Sequence, residues 1–138
     1  MELNLTVTIH ASKAKVWNAL TDPAQIKKYL FGTETKTDWK VGSPITFSGE
    51  WEGKAYVDKG TILEMEKEKK IKYSYWSSFT GTEDKPENYF NITYVLEDHN
   101  GNTLFHLTQD GMKSKEAHDH SEQNWKMVMN SLKDLVEK

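Results

Sequence analysis

Two ionisable side chains near the C-terminus, His118 and Glu122, have a spacing that can support chemistry. Positions four apart on a helix lie on one face. There the imidazole and the carboxylate can hydrogen-bond a polar group of a ligand, or act as acid and base on a substrate. They can equally form an ion pair that faces solvent on the first turns of a helix. The spacing leaves these three roles open.

The triplet His118, Asp119 and His120 invites a metal hypothesis. Positions two apart on a helix point about 200° away from each other, so the two imidazoles would not converge on one ion. The sequence also has no cysteine, no glycine-rich phosphate loop and no G-x-S-x-G nucleophile elbow. We therefore expect no metal and no cofactor, and we assign no catalytic residue.

Glu50 and Glu52 flank Trp51, and as alternate positions of a strand they would lie on the same face. Paired carboxylates can perform acid–base chemistry where burial separates their pKa values. A solvated strand edge explains the pair more simply, and we adopt that interpretation.

Aromatic side chains make up 12% of the chain, and many fall in segments that read as strands. Such residues suit flat apolar ligands, since ligand pockets are mostly apolar with few polar anchors. They can also simply fill the core of a small sheet, and both readings hold for Tyr75, Phe90 and Phe105. Phe79 lies between Ser78 and Thr80 in a predicted loop, where we expect a gate.

The last segment, residues 114–138, is predicted to be one long helix whose face has two parts. Its C-terminal half carries apolar residues at helical spacing: Trp125, Val128, Met129, Leu132, Leu135 and Val136. Further back, the same face carries His118, Ser121 and Glu122. A helix that covers a core at one end and lines the mouth of a cavity at the other would have this pattern.

The rest of the chain predicts a strand, two short helices and a run of strands. Residues 2–9 alternate as a half-buried strand, and Ser12 and Asp22 are candidate N-caps for the two helices. Asn100-Gly101 is the strongest hairpin signal. Further strands are predicted at 33–37, 45–50, 55–66, 70–77, 89–97 and 103–109, with a long loop at 78–88. The order indicates an α+β helix-grip fold, in which a strongly curved antiparallel sheet of about six to seven strands wraps around the C-terminal helix.

Composition bounds the remaining possibilities. At 138 residues, the chain is expected to form a single domain over residues 1–138. It has no apolar run long enough to span a bilayer and no secretion-signal pattern, so we expect a cytoplasmic protein without a membrane span. All eighteen basic residues are lysines and the net charge is −3, which disfavours nucleic acid as a partner.

Four strings resemble the START-like (SRPBCC) helix-grip superfamily, and within it the Aha-type domain of activators of the heat-shock chaperone ATPase. They are ASKAKVWNALTDP, GTILEMEKEKKIKYSYW, GNTLFHLTQDG and NWKMVMNSLKDL, at residues 11–23, 60–76, 101–111 and 124–135. The chain departs from the family pattern at two places. Asn124 stands where the family usually has glycine, and Gln109 stands where it has histidine, so a proton-transfer role of that histidine would be absent here.

The resemblance implies a hydrophobic cavity between the sheet and the last helix, of the kind that holds apolar or aromatic molecules. We expect ligand binding without catalysis, at a site formed by Phe31, Trp51, Tyr75, Phe79, Phe90, Phe105, His118, Glu122, Trp125 and Met129. Two alternatives remain: a chaperone-associated interaction module linked to the stress response, and a cyclase- or hydrolase-type enzyme using His118 and Glu122. A monomer or a weak homodimer is expected.

Overall fold

The computed structural model describes residues 2–77 and 83–137 and contains one seven-stranded antiparallel sheet. The strand order is β1-β7-β6-β5-β4-β3-β2. The strands are β1 (Leu3–Ile9), β2 (Glu34–Lys36), β3 (Pro44–Trp51), β4 (Lys54–Glu66), β5 (Lys70–Tyr75), β6 (Phe90–His99) and β7 (Asn102–Asp110). With two short helices after β1 and a long helix at the end, this curved sheet confirms the predicted α+β helix-grip fold.

From β2 to β7, each strand pairs antiparallel with the next strand in the sequence, and this pairing gives the order of the sheet. Asn100 and Gly101 form the predicted turn between β6 and β7, with φ of +54° and +85°. Both values suit Asn-Gly, because these residues tolerate positive φ at low energetic cost. β1 then pairs with β7, with Leu3 opposite Gln109 and Ile9 opposite Thr103, so the first and last strands of the chain are neighbours in the sheet.

One face of the sheet is buried, and we call it the inner face. Alternation places Ile92, Tyr94 and Leu96 of β6 on this face, beside Phe105 and Leu107 of β7. Because successive side chains of a strand point to opposite sides, the residues between them lie on the outer face.

The pairing of β4 with β5 is interrupted near the middle of β4. A Cβ atom on Gly60 would lie 1.6 Å from the backbone oxygen of Ser74, so only glycine fits there. The Thr61 amide donates to the Ser74 side-chain hydroxyl at 3.0 Å. The register shifts by one residue between Ile62 and Glu64. A bulge of this kind bends a strand and increases its twist, and so adds to the curvature of the sheet.

The two short helices are α1 (Lys13–Thr21) and α2 (Pro23–Tyr29). Both predicted caps are present: the Ser12 side chain accepts from the Lys15 amide at 3.3 Å, and Asp22 accepts from the Ala24 amide at 3.0 Å. α1 contacts β6 and β7, whereas α2 contacts β2 and the C-terminal helix.

The C-terminal helix, α3 (Lys115–Val136), starts at Ser114, whose hydroxyl accepts from the Ala117 amide at 3.1 Å. Its C-terminal end is fixed to the start of the chain. Lys133 Nζ donates to the Thr8 carbonyl at 3.0 Å, and the His10 amide donates to a carboxylate oxygen of Glu137 at 2.8 Å. This end of α3 is therefore a fixed point of the fold.

The segment predicted as a long loop, 78–88, is described only from residue 83 onward. One turn of 3-10 helix, Pro86–Asn88, leads into β6. The predicted gate residue Phe79 and the side chain of Trp51 lie outside the described part of the structure.

Candidate functional site

Four aromatic rings form a continuous row across the inner face of the sheet. Phe47 lies 5.7 Å from Tyr73, Tyr73 lies 5.6 Å from Tyr94, and Tyr94 lies 5.4 Å from Phe105, measured between ring centroids. The tilted and edge-on geometries are those that aromatic pairs favour. The row runs from β3 to β7 and forms an apolar floor.

The row contains paired phenols in its centre. The hydroxyls of Tyr73 and Tyr94 are 2.7 Å apart and hydrogen-bonded. Burial raises the pKa of both tyrosines, and it also raises the pKa of Tyr29, which reaches the same region from α2. These phenols therefore stay neutral at physiological pH and act as polar points within an apolar surface.

Trp125 of α3 closes over the row from above. Its indole ring lies edge-on to Tyr94 at 6.0 Å, and its N–H donates to the amide oxygen of Gln109 at 2.6 Å. The amide nitrogen of Gln109 lies 3.4 Å from the Ser121 hydroxyl. The sequence singled out Gln109 only as a departure from a family pattern, whereas the structure gives it a role in joining β7 to α3.

The N-terminal half of α3 packs much less tightly than the C-terminal half. The buried residues of α3 are Met129, Leu132 and Val136, all in its last eight positions. His118 and Glu122 are only half-buried. The predicted two-part face is thus present, with the polar part above the region of Trp125.

His118 and Glu122 share a face but do not form an acid–base pair. Nδ1 of His118 lies 3.1 Å from a carboxylate oxygen of Asp119. The pKa of Asp119 is lowered, first by its hydrogen bond with Lys115 and then by the one with His118. Among the described residues, Glu122 has no hydrogen-bond or ion-pair partner. The pair is therefore better placed to meet a polar ligand group than to exchange a proton within itself.

The remaining predicted site residues are spread more widely. Phe105 belongs to the aromatic row, and Tyr75 packs on Phe47 at 5.8 Å. Phe90 is half-buried at the start of β6, beside Gly111. Phe31 is 66% exposed after the end of α2, so the structure does not bring it to the row.

A buried polar cluster, which sequence reasoning missed, lies at the β4 end of the inner face. Asp58 is 7% exposed and accepts a hydrogen bond from the Tyr75 hydroxyl at 2.5 Å. Burial, and then the charge and hydrogen bond of Asp58, raise the pKa of Tyr75. Beside this pair, the hydroxyls of Thr33 and Tyr56 are 2.7 Å apart. Ile62 and Asp58 lie four positions apart in β4, so strand alternation places them on the same face. This alternation was the sequence signal that could have located Asp58.

Two depressions lie on the described surface, both outside the space between the inner face and α3. One, of about 540 Å³, is lined by residues at the α2 and β2 edge: Pro23, Thr35, Lys36, Thr37, Asp38, Pro44 and Thr46. The other, of about 600 Å³, lies over the β4 bulge, where Lys59 pairs with Asp84. Within residues 2–77 and 83–137, no three His, Asp or Glu side chains converge as a metal site would need. No helix in these ranges is long and apolar enough to cross a membrane.

A curved antiparallel sheet that grips a C-terminal helix over an aromatic inner face defines a START-like (SRPBCC) helix-grip protein. Within that class, residues 10–137 match the family described as Activator of Hsp90 ATPase homolog 1-like protein, and the chain belongs to this family. This confirms the resemblance to the Aha-type domain.

Solved structures agree with this assignment. ChR145 from Cytophaga hutchinsonii is 42% identical, with 99% of this chain and 94% of that chain covered and a TM-score of 0.86. The Aha1 dimer from Colwellia psychrerythraea is 21% identical, with 99% and 96% covered and a TM-score of 0.79. DynU16, a protein in the dynemicin biosynthetic locus, is 12% identical, with 99% and 47% covered and a TM-score of 0.82. The last two likenesses concern the fold alone. A comparison with functionally curated proteins finds no match.

Proposed function

We propose that this protein binds a small apolar or aromatic molecule between the inner face of the sheet and the N-terminal half of α3, without catalysing a reaction. The observation that carries the proposal is the uneven burial of α3. Its last eight positions hold all three of its buried residues, Met129, Leu132 and Val136. A helix that only closed a core would be buried along its whole covered stripe.

The chemistry beneath the less buried half of α3 supports a ligand of this class. The aromatic row supplies broad apolar surface, and the hydroxyls of Tyr73 and Tyr94 supply polar points within it. At the mouth, His118 and Glu122 are half-buried, and Glu122 has no partner among the described residues. Apolar walls with a few polar anchors are the usual composition of a small-molecule site.

One further observation supports binding over catalysis, and another supports a cytoplasmic location. His118 pairs with Asp119 instead of Glu122, so the acid–base arrangement needed for a cyclase or hydrolase is not assembled. The chain has no cysteine, which suits a reducing compartment. The biosynthetic locus in DynU16's description also favours a small-molecule role for the fold.

The test uses the Trp125 indole N–H as a reporter in two-dimensional NMR of the ¹⁵N-labelled protein. Naphthalene-based and fatty-acyl probes are titrated, and a ligand above the aromatic row should shift the Trp125 indole resonance. The Trp17 indole, on α1, serves as the internal control and should move less. If no probe class moves the Trp125 resonance at millimolar concentration, the proposal fails.

Family membership favours a second candidate, association with a heat-shock chaperone. The family description names an activator of the Hsp90 ATPase. Lys67 and Lys69 are exposed in the turn between β4 and β5, whereas Lys70 is paired with Glu64 at 3.0 Å. In a pull-down with the purified chaperone, the variant Lys67→Glu/Lys69→Glu should lose retention. Equal retention of the variant would argue against docking through this turn. The Colwellia protein is described as a dimer, and we therefore include a weak homodimer of this chain in the same proposal.

A further inference from the structure

Asp58 occupies an unusual position for a carboxylate. It lies in the middle of β4, opposite Phe47 of β3, on the buried face of the sheet. One carboxylate oxygen accepts from the Tyr75 hydroxyl at 2.5 Å, and the Ser77 side chain hydrogen-bonds with the same tyrosine side chain. The polar chain Ser77–Tyr75–Asp58 therefore ends on the carboxylate.

The other carboxylate oxygen, Oδ1, accepts no hydrogen bond from the described residues. It is buried, and among residues 2–77 and 83–137 it has no hydrogen-bond partner. No lysine or histidine of the described ranges forms an ion pair with Asp58. An ionised carboxylate has about four acceptor sites, and burying one with a single donor is unfavourable unless a further donor or cation joins it. Within the described residues, the Asp58 carboxylate therefore lacks a positively charged hydrogen-bond donor.

The walls around Asp58 suit an organic cation. Phe47, its cross-strand neighbour, packs on the Tyr75 ring at 5.8 Å and leads into the aromatic row through Tyr73. Aromatic faces attract ammonium groups through their quadrupole, and more strongly when water is excluded. A charged carboxylate beside aromatic walls is thus complementary to an amine carried on an apolar body.

We propose that Asp58 anchors the protonated amine of an apolar or aromatic ligand whose body lies along the aromatic row. This inference rests on the proposed ligand-binding function and names its ligand class. The amine donates to Oδ1 while Tyr75 keeps its bond to Oδ2. A neutral hydroxyl could supply one hydrogen bond but would leave the charge of the carboxylate unpaired.

The test compares three naphthalene probes of one shape: 1-naphthylmethylamine, 1-naphthalenemethanol and 1-naphthoic acid. Calorimetric titration of the wild-type protein should give the amine at least about tenfold tighter binding than the alcohol, since hydrogen bonds to charged groups exceed neutral ones by roughly that factor. The naphthoate should bind most weakly, because its charge repels that of Asp58.

Asp58→Asn should remove most of the preference for the amine. The affinity for the alcohol should stay within about threefold of the wild type, which is less than the effect of losing one neutral hydrogen bond. Asp98→Asn is the matched control: Asp98 is exposed near the end of β6, and its variant should bind like the wild type. The wild-type amine-to-alcohol ratio is itself a test that requires no variant.

The outcomes separate the two proposals. Amine and alcohol binding equally well to the wild type, or an amine preference that survives in Asp58→Asn, overturns the inference about Asp58 and leaves the binding function standing. If none of the three probes binds and the Trp125 resonance never moves, the binding function itself is overturned.

Discussion

The indole N–H of Trp125 donates to the side-chain oxygen of Gln109 at 2.6 Å, and this bond connects α3 directly to β7. Gln109 is 3% exposed, so its amide has little access to water and depends on partners from the protein. Its nitrogen lies 3.4 Å from the Ser121 hydroxyl, one helical turn before Trp125. One side chain of the sheet thus positions the region of α3 between its buried C-terminal half and its half-buried N-terminal half.

Replacing Gln109 with leucine should lower the free energy of unfolding by about 1–3 kcal/mol, because the indole N–H loses its acceptor. Gln109→His should retain most of the stability, since an imidazole nitrogen can accept the same bond. Urea denaturation at 25 °C measures both. Gln123→Leu, on the exposed side of α3, is the control and should change stability by no more than about 0.5 kcal/mol. Equal losses in the leucine and histidine variants would contradict the role of the bond.

The two halves of α3 should respond differently to truncation. Leu132→Ala should lower the free energy of unfolding by about 2–5 kcal/mol, because Leu132 is 1% exposed and its loss leaves a cavity. Glu122→Ala should change it by less than about 0.5 kcal/mol. The same denaturation series measures both variants. A loss in Glu122→Ala that rivals the loss in Leu132→Ala would show that the first half of α3 is a structural part of the core.

Buried phenols should make the protein sensitive to alkaline pH. Burial raises the folded-state pKa of Tyr29, Tyr73, Tyr75 and Tyr94. Their stabilisation is therefore complete below the unfolded pKa of about 10 and is lost as pH rises beyond it, by about 1.4 kcal/mol per pH unit for each tyrosine. Four such groups should produce steep unfolding above pH 10, observable by tyrosinate absorbance and circular dichroism.

The double variant Tyr73→Phe/Tyr94→Phe removes two of these groups together. Both members of their hydrogen bond are lost, so neither hydroxyl is left buried without a partner. The slope of stability against pH above 10 should fall to about half that of the wild type. Parallel curves for the two proteins would show that these phenols are already exposed to hydroxide in the folded state.

Gly60→Ala should destabilise the protein by about 3 kcal/mol or more, because the new methyl group would overlap the backbone oxygen of Ser74 and force two strands apart. Gly53→Ala is the comparison. Nothing lies within 4 Å of a Cβ there, but φ is +79°, so a cost of about 1–2 kcal/mol is expected from the backbone alone. If both variants lose the same stability, the close approach at Gly60 is readily relieved.

Local sequence signals predicted most of the architecture because each element depends on nearby residues. The caps Ser12 and Asp22, the Asn100-Gly101 turn and the alternation of β6 all act within a few positions of the chain. The two-part face of α3 was also visible, since helical periodicity alone defines it. The predicted strand at 33–37 proved shorter, Glu34–Lys36, because only three residues pair with β3.

The polar parts of the site were harder to predict because they join distant segments. Asp58 of β4 meets Tyr75 of β5, seventeen residues away along the chain, and this contact depends on the register of the two strands. Gln109 meets Trp125 only after α3 has folded back over the sheet. His118 and Glu122 were correctly placed on one face, but His118 hydrogen-bonds to the neighbouring Asp119 and not to Glu122.

The attachment of α3 at one end has a mechanical consequence. Lys133 and Glu137 hold the helix to β1 and the residue that follows it, while His118 lies fifteen residues before Lys133, or roughly 22 Å along the axis. The helix is thus a lever with its pivot in the core. A tilt of about 5° would move the tip by roughly 2 Å at this length while the packing around Leu132 stays intact, and the proposed binding of molecules of different thickness would require this freedom.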